Sequence, residues 1–291
     1  MTAELVTDAP FTQVCALTEL PSVSGDDATT GRFTGVIDPT WTIGPKVHGG
    51  TMVAASAAAA TRWLTGSDPA LAEMAPIAAS SDFLGAPDPG EVEYAVRITK
   101  KGRQICLAHT DLLQNGRTLV RTSFTFGRLD DGEPRWAGPD TDMPAEPTPD
   151  ALIYTPDSPM GKVVHVGQAA HVALDPSWAE FLGGGTGDPR LRLWIRPLGG
   201  DEPDPRVRAA FAMMAADMSP PVPMNLGHFG WSPTVQMTTY LRRVPAPGWL
   251  RVIATSREVG GRMFDEDQLV IDSTGAVVAQ SRQLALIPAA R

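Results

Sequence analysis

The stretch QICLAHTDLLQNGRTLVRTSFTF, Gln104 to Phe126, decides the fold. At its centre stands Gln114-Asn115-Gly116-Arg117. Asn-Gly tolerates positive φ at both central positions of a tight hairpin, and the flanking runs alternate. Gln104 to Leu113 and Thr118 to Phe126 are therefore expected as antiparallel strands. Working outward, Val92 to Thr99 reads as a third strand and the apolar run Thr51 to Leu64 as a buried helix. A helix followed by antiparallel strands, without helical crossovers, argues for an α+β architecture and against a doubly wound sheet.

The same order recurs further along. Asp272-Ser273-Thr274-Gly275 answers the Asn-Gly turn between expected strands Gln268 to Ile271 and Ala276 to Ile287, with Leu250 to Ser256 before them. Gly102-Arg103 and Gly261-Arg262 share the offset of 159 that relates the two turns, and Pro89-Gly90 and Pro247-Gly248 stand 158 apart. Ile37-Asp38-Pro39-Thr40-Trp41 returns as Leu174-Asp175-Pro176-Ser177-Trp178 at an offset of only 137, which assigns an insertion to Gly183 through Pro205. A helix is expected from Pro205 to about Ala216, with Asp204 as its cap and Pro205 in its first turn. Two tandem units follow, residues 1–130 and 161–291. Between them, 131–160 carries prolines at 134, 139, 144, 147, 149, 156 and 159, too many for helix or central strand, and reads as an extended strap.

Composition narrows the function. The 24 basic and 33 acidic residues leave a net charge of -9, which argues against nucleic acid as a partner. Cys15 and Cys106 cannot build a disulfide framework in 291 residues, so a reducing cytoplasm is expected. The opening MTAELVTDAP lacks the basic start of a signal peptide, and the apolar run Thr51–Ala60 is half a membrane span. His165 and His171 stand six apart, and no Cys, Asp or Glu joins them at metal-ligand spacing, so no metal is expected. Gly-x-Ser-x-Gly is absent, and Gly183 to Gly187 has no following Lys-Ser/Thr and reads as a flexible loop.

Three segments, Ala215-Ala216-Asp217, Ser232-Pro233-Thr234-Val235-Gln236 and Gly275 through Gln283, resemble the acyl-CoA thioesterase II (TesB-like) family. That resemblance implies a double hotdog fold, in which two tandem units each wrap an antiparallel sheet around a long buried helix. It also implies that Asp217, Thr234 and Gln283 hold the hydrolytic water, with acyl-CoA as substrate and no bound cofactor. His48-Gly49-Gly50 stands where the family carries a Gly-Gly pair leading into the first helix.

The residues can be read independently. An offset of 157 sets Ala60 opposite Asp217 and Ile77 opposite Thr234, and 159 sets Phe124 opposite Gln283. The first copy is apolar at all three positions, so the chemistry is expected in the second. Asp217 follows a helix rich in Ala and Met, where desolvation and the negative end of the helix dipole both raise its pKa. Without the resemblance the favoured reading is a solvated residue just past a helix end, before Ser219-Pro220-Pro221. Gln283 shares an apolar strand face with Ala279, Ser281 and Ala285, and its amide needs a partner there: a water, a substrate carbonyl or a neighbouring backbone group. Alternation groups Thr234 with Gln236, Thr238 and Tyr240 on a wet face, although Pro233 permits an irregular strand start. His48 precedes a helix N-terminus, as a thioester or phosphate contact or a plain loop residue. Met213, Met214, Met218 and Met224 suit an acyl tunnel or simple core filling. Arg242 and Arg243 are candidates for CoA phosphates or a solvated strand end.

The expected activity is hydrolysis of a fatty-acyl-CoA through a water activated by Asp217, in a protein of lipid metabolism that can form homo-oligomers. The alternatives are a hotdog hydratase or dehydratase, which needs a histidine beside Asp217 and finds only His228 nearby in the chain, and a non-catalytic acyl- or lipid-binding protein.

Overall fold

Asn115 and Gly116 adopt φ of 51° and 73°, the doubly positive turn that their types favour, and close the hairpin on which the sheet is built. The structure is a computed structural model that describes residues 8–21, 29–138, 141–158 and 160–288. The signal-peptide reading of the first ten residues and the prolines at 139 and 159 fall wholly or partly outside these. Among the described residues, no helix is long and apolar enough to cross a membrane.

In chain order, helix α1 (Pro10–Val14) precedes strands β1 (Thr18–Glu19), β2 (Thr30–Ile37), β3 (Thr42–Ile43) and β4 (Lys46–Val47). Helix α2 (Gly49–Gly66) leads to β5 (Ala75–Phe83), β6 (Gly90–Lys100), β7 (Cys106–Gln114) and β8 (Arg117–Gly127). Among its described residues the strap holds only β9 (Leu152–Ile153), before β10 (Ala170–Leu174) and β11 (Arg190–Pro197). Helix α3 (Pro205–Ala215) then leads to β12 (Thr234–Leu241), β13 (Leu250–Thr255), β14 (Met263–Ile271) and β15 (Val277–Leu286). Thirteen of these strands form one antiparallel sheet in the order β1-β2-β6-β7-β8-β5-β12-β15-β14-β13-β11-β10-β9. The sheet confirms the α+β expectation.

Helix α2 is Ala-rich because it is buried nearly all round. Met52, Val53, Ala54, Ala55, Ala59, Ala60 and Leu64 are covered, and the small side chains let it lie close to β6, β7 and α3. Gly31 on β2 is required by the same close packing, since a Cβ there would sit 2.4 Å from the Trp63 ring. Asp204 caps α3 by accepting the Arg206 N–H, as expected, and Phe211, Met213 and Met214 of α3 are wholly buried. Each large apolar side chain so covered contributes about 1.5–3 kcal/mol.

The two halves of the sheet share their irregularities. In the β7–β8 hairpin the register shifts between Leu112 and Leu113, leaving Leu119 as a bulge, and in β14–β15 it shifts between Val270 and Ile271, leaving Val278. A second pair of bulges falls at Ile77 in β5 and Val235 in β12. Counted through these bulges, Glu266 opposite Gln283 corresponds to Ala108 opposite Phe124, and Thr234 corresponds to Pro76. The strand register thus corrects the expected counterpart of Thr234 from Ile77 to Pro76, still an apolar residue.

Two further expectations change. Arg190–Pro197 is a strand paired between β10 and β13, as β2 pairs between β1 and β6, so Gly183 to Pro205 is no insertion. Accordingly the two Asp-Pro-x-Trp turns are not equivalent in place: one follows β2 and the other follows β10. They match because each Asp caps a short 3-10 turn, Asp38 accepting the Thr40 N–H and Asp175 that of Ser177. Along the strap, Met143 is buried with Trp194, whose indole donates to the Pro144 carbonyl at 2.8 Å, and Arg251 donates to the Met143 carbonyl at 3.0 Å.

Candidate active site

Helix α3 ends where α2 begins, and Asp217 lies at that junction. Its side chain is 8% exposed, against 2% for His48, whose Nε2 lies 3.6 Å from the Asp217 carboxylate. The same Nε2 sits 2.8 Å from the Asp217 backbone oxygen, which only accepts, so this nitrogen carries a proton. His48 Nδ1 faces both the N–H and the hydroxyl of Thr51, at 3.3 and 3.1 Å, and has a partner whether the ring is neutral or charged. His48 is thus the cap of α2 and the tether of Asp217 at once.

Gly49 and Gly50 are small because Asp217 needs their space. A Cβ on Gly49 would stand 2.5 Å from the carboxylate oxygen Oδ2, and one on Gly50 would stand 2.4 Å from the Met214 carbonyl. As first residues of α2, both carry N–H groups without intrahelical partners. Burial pushes the Asp217 carboxyl above the ordinary carboxylate range, while the charge of His48 and the Gly50 N–H pull it back. The C-terminal end of α3 is therefore not the only helix end that Asp217 meets. The opposing N-terminus of α2 favours the carboxylate, a contribution that the sequence reading lacked.

The two segments flanking Asp217 are pinned to the sheet. Ser281 Oγ donates to the Ala216 carbonyl at 2.5 Å, and the Val222 N–H donates to Glu266 Oε2 at 3.1 Å. The bulge at Val235 changes the phase of β12 and turns Thr234 off the wet face to meet Gln283. Thr234 Oγ1 donates to Gln283 Oε1 at 2.5 Å, and Gln283 Nε2 donates to Glu266 Oε1 at 3.1 Å. Gln268 Nε2 donates to the same Glu266 oxygen at 2.7 Å. Thr234 and Gln283 are thus brought together directly, and Asp217 makes no hydrogen bond to either among the described residues; its charge acts on the buried carboxyl of Glu266.

Glu266 was missed by the sequence reading. It is wholly buried, and burial first, then the Asp217 charge, pushes its carboxyl up to about 7 against the opposing Val222, Gln268 and Gln283 hydrogen bonds. The signal was present: Phe264, Glu266, Gln268 and Val270 alternate on the inward face of β14. The acidic run Asp265-Glu266-Asp267 concealed it, because the strand was expected to begin only at Gln268.

The remaining candidates separate. Met213 is wholly buried in the core and Met218 is 9% exposed next to Asp217. Arg242 binds Gln280 and Arg243 binds the Gly132 carbonyl. His228 is exposed in the loop before β12, and the histidine that Asp217 faces is His48.

Fold and site together define a hotdog protein with a buried-carboxylate centre. Family models of the acyl-CoA thioesterase N-terminal domain and C-terminal domain match residues 37–127 and 140–287. The chain belongs to this acyl-CoA thioesterase family. It is 39% identical to an uncharacterised protein of Mycobacterium tuberculosis over 97% of this chain and 99% of that one. Among solved structures it is similar to a candidate thioesterase II from Thermobifida fusca, with 28% identity, TM-score 0.78, and coverage of 96% of this chain and 98% of that one. A hotdog-fold protein from Alicyclobacillus acidocaldarius aligns with TM-score 0.71 and 20% identity over 97% and 98% of the two chains. The acyl-CoA thioesterase II TesB2 of Mycobacterium marinum aligns with TM-score 0.65 and 18% identity over 96% and 99%.

Proposed function

We propose that the protein hydrolyses a fatty-acyl-CoA to the free acid and CoA through a water activated by Asp217. The observation that carries this reading is the buried carboxylate of Asp217, set against His48 and the N-terminus of α2. Asp217 takes a proton from water as the oxygen attacks the thioester carbonyl carbon. Thr234 and Gln283 hold that water, and the N–H of Gly49, since that of Gly50 already meets Asp217, polarises the carbonyl oxygen as negative charge develops. The C–S bond breaks from the tetrahedral adduct, and the proton held by Asp217 leaves with the CoA thiolate. His48 contributes by fixing Asp217, and Met213 and Met218 give the acyl chain adaptable apolar surroundings by repacking.

The chain is read as two tandem hotdog units, 1–130 and 161–291, joined by the strap 131–160. The shared bulges in β8 and β15, and in β5 and β12, support a duplication. The second unit alone keeps the carboxylates, hydroxyl and amide, since Ala108, Phe124 and Pro76 replace Glu266, Gln283 and Thr234, and the first unit adds His48 and the N-terminus of α2. A cytoplasmic place in lipid metabolism accompanies this reading.

Hydratase chemistry is disfavoured because both ring nitrogens of His48 already face protein partners, leaving neither for acid–base work on an acyl chain. Thiol release from a panel of acyl-CoAs, with wild type and Asp217→Asn, tests the proposal. Undiminished release by the variant overturns the mechanism, and no release at any chain length favours the acyl-binding reading.

A further inference from the structure

Gln283 can hold the water only if its amide is pointed one way. A glutamine side chain has a nearly symmetric end, and its two orientations present opposite hydrogen-bonding groups. At Gln283 one edge meets the Thr234 hydroxyl at 2.5 Å. A hydroxyl both donates and accepts, so Thr234 alone does not choose between oxygen and nitrogen. The other edge meets Glu266 at 3.1 Å.

Glu266 can make that choice because of how it is held. It is wholly buried and receives three hydrogen bonds, from the Val222 N–H at Oε2 and from the Gln268 and Gln283 amides at Oε1. Val222 opens the 3-10 turn that follows Asp217 by five residues, so the carboxyl also spans from the segment after Asp217 to the strand bearing Gln283. Nothing on its face of the corresponding β7 strand repeats this group, since Ala108 lies opposite Phe124 there.

We propose that Glu266 is a positioning residue, which sets the Gln283 amide with its oxygen toward Thr234 and a nitrogen toward the carboxyl. The second amide N–H is thereby left to the water or the substrate carbonyl. This rests on the thioesterase reading for its effect on rate, but the orientation itself is independent of turnover.

A double-mutant cycle tests it. Gln283→Ala is expected to lower kcat on the order of 100-fold, as for loss of one oriented donor. Glu266→Ala is expected to lower kcat comparably with little change in KM, and Glu266→Gln, which keeps one acceptor oxygen for Gln283, to recover part of it. The double variant Glu266→Ala/Gln283→Ala is expected to be no slower than Gln283→Ala alone. Effects that multiply, or a Glu266→Gln variant as slow as Glu266→Ala, would overturn the proposal. The non-kinetic arm is the side-chain amide of Gln283 followed by NMR in wild type and Glu266→Ala. Protection from solvent exchange that is lost in the variant supports positioning, and unchanged protection overturns it. If wild type hydrolyses no acyl-CoA while this protection is lost on mutation, the thioesterase reading fails and the positioning stands.

Discussion

His48 Nε2 lies 2.8 Å from the backbone oxygen of Asp217, across 169 positions of sequence. The cap of α2 is the tether of the carboxylate just past α3, so the geometry of Asp217 depends on a side chain from the opposite half of the chain. His48→Ala is therefore expected to behave as an active-site variant. It removes the cap and frees Asp217, with a cost of about 0.5–2 kcal/mol in stability and a fall in kcat larger than any change in KM. Denaturant unfolding alongside steady-state kinetics checks both.

Asp217→Asn keeps the shape of the site and removes the base. Hydrolysis is expected to fall by about 100- to 10,000-fold. The neutral amide no longer carries the desolvation cost of a buried charge, so stability at neutral pH is retained or increased. Thiol release and thermal unfolding on the same preparation read the two effects.

Gly49→Ala and Gly50→Ala separate chemistry from packing. The methyl on Gly49 meets the end of a rotatable carboxylate, and the one on Gly50 meets the fixed carbonyl of Met214. Gly49→Ala should mainly lower kcat. Gly50→Ala should mainly destabilise, by about 1–3 kcal/mol. Urea midpoints that shift equally in the two variants would contradict this division.

Burial raises the carboxyls of both Asp217 and Glu266, so the native state holds their protons more tightly than the unfolded chain does. For Glu266 the window runs from its ordinary 4.5 to about 7. Its stability contribution is greatest below the unfolded value and is lost as pH rises through the folded one. Activity runs the other way, because the base must be ionised, and its acid limb should lie above the ordinary aspartate range. Urea titrations across the window, in wild type and Glu266→Gln, isolate the Glu266 slope: the variant should lose less stability as pH rises. A kcat/KM profile with its acid limb at an ordinary aspartate value would contradict the assigned burial.

Phe124 occupies the place of Gln283 in the first half and is 2% exposed. Phe124→Ala is expected to cost about 3–5 kcal/mol, with kcat unchanged in the fraction that remains folded. Gln283→Ala should show the reverse pattern.

Much of this architecture was legible where a local rule acts alone. The Asn115-Gly116 turn, the Asp204 cap and the paired turns 159 residues apart needed only backbone preferences. Legibility failed where tertiary context decided. A single bulge at Val235 moved Thr234 to the other side of β12, and simple alternation cannot place a bulge. Glu266 was hidden because three consecutive acids look solvated, although Phe264 and Val270 fix the phase that turns the middle acid inward. His48 was legible only as a residue before a helix N-terminus; its capping of α2 and its tether to Asp217 required the meeting of two helices far apart in sequence. The matching Asp-Pro-x-Trp turns misled for the opposite reason: the same capping chemistry arises wherever a chain must bend.

The seam between β5 and β12 joins the two halves of the sheet edge to edge through Ser81 opposite Met237. A chain severed in the strap would expose both edges as open templates, each free to pair with a second copy of its own kind. Fragments mixed in equal amounts would then partition among like and unlike assemblies, and only the unlike one brings His48 to Asp217. Covalent fusion fixes the stoichiometry at one to one, so every folded molecule carries one complete centre.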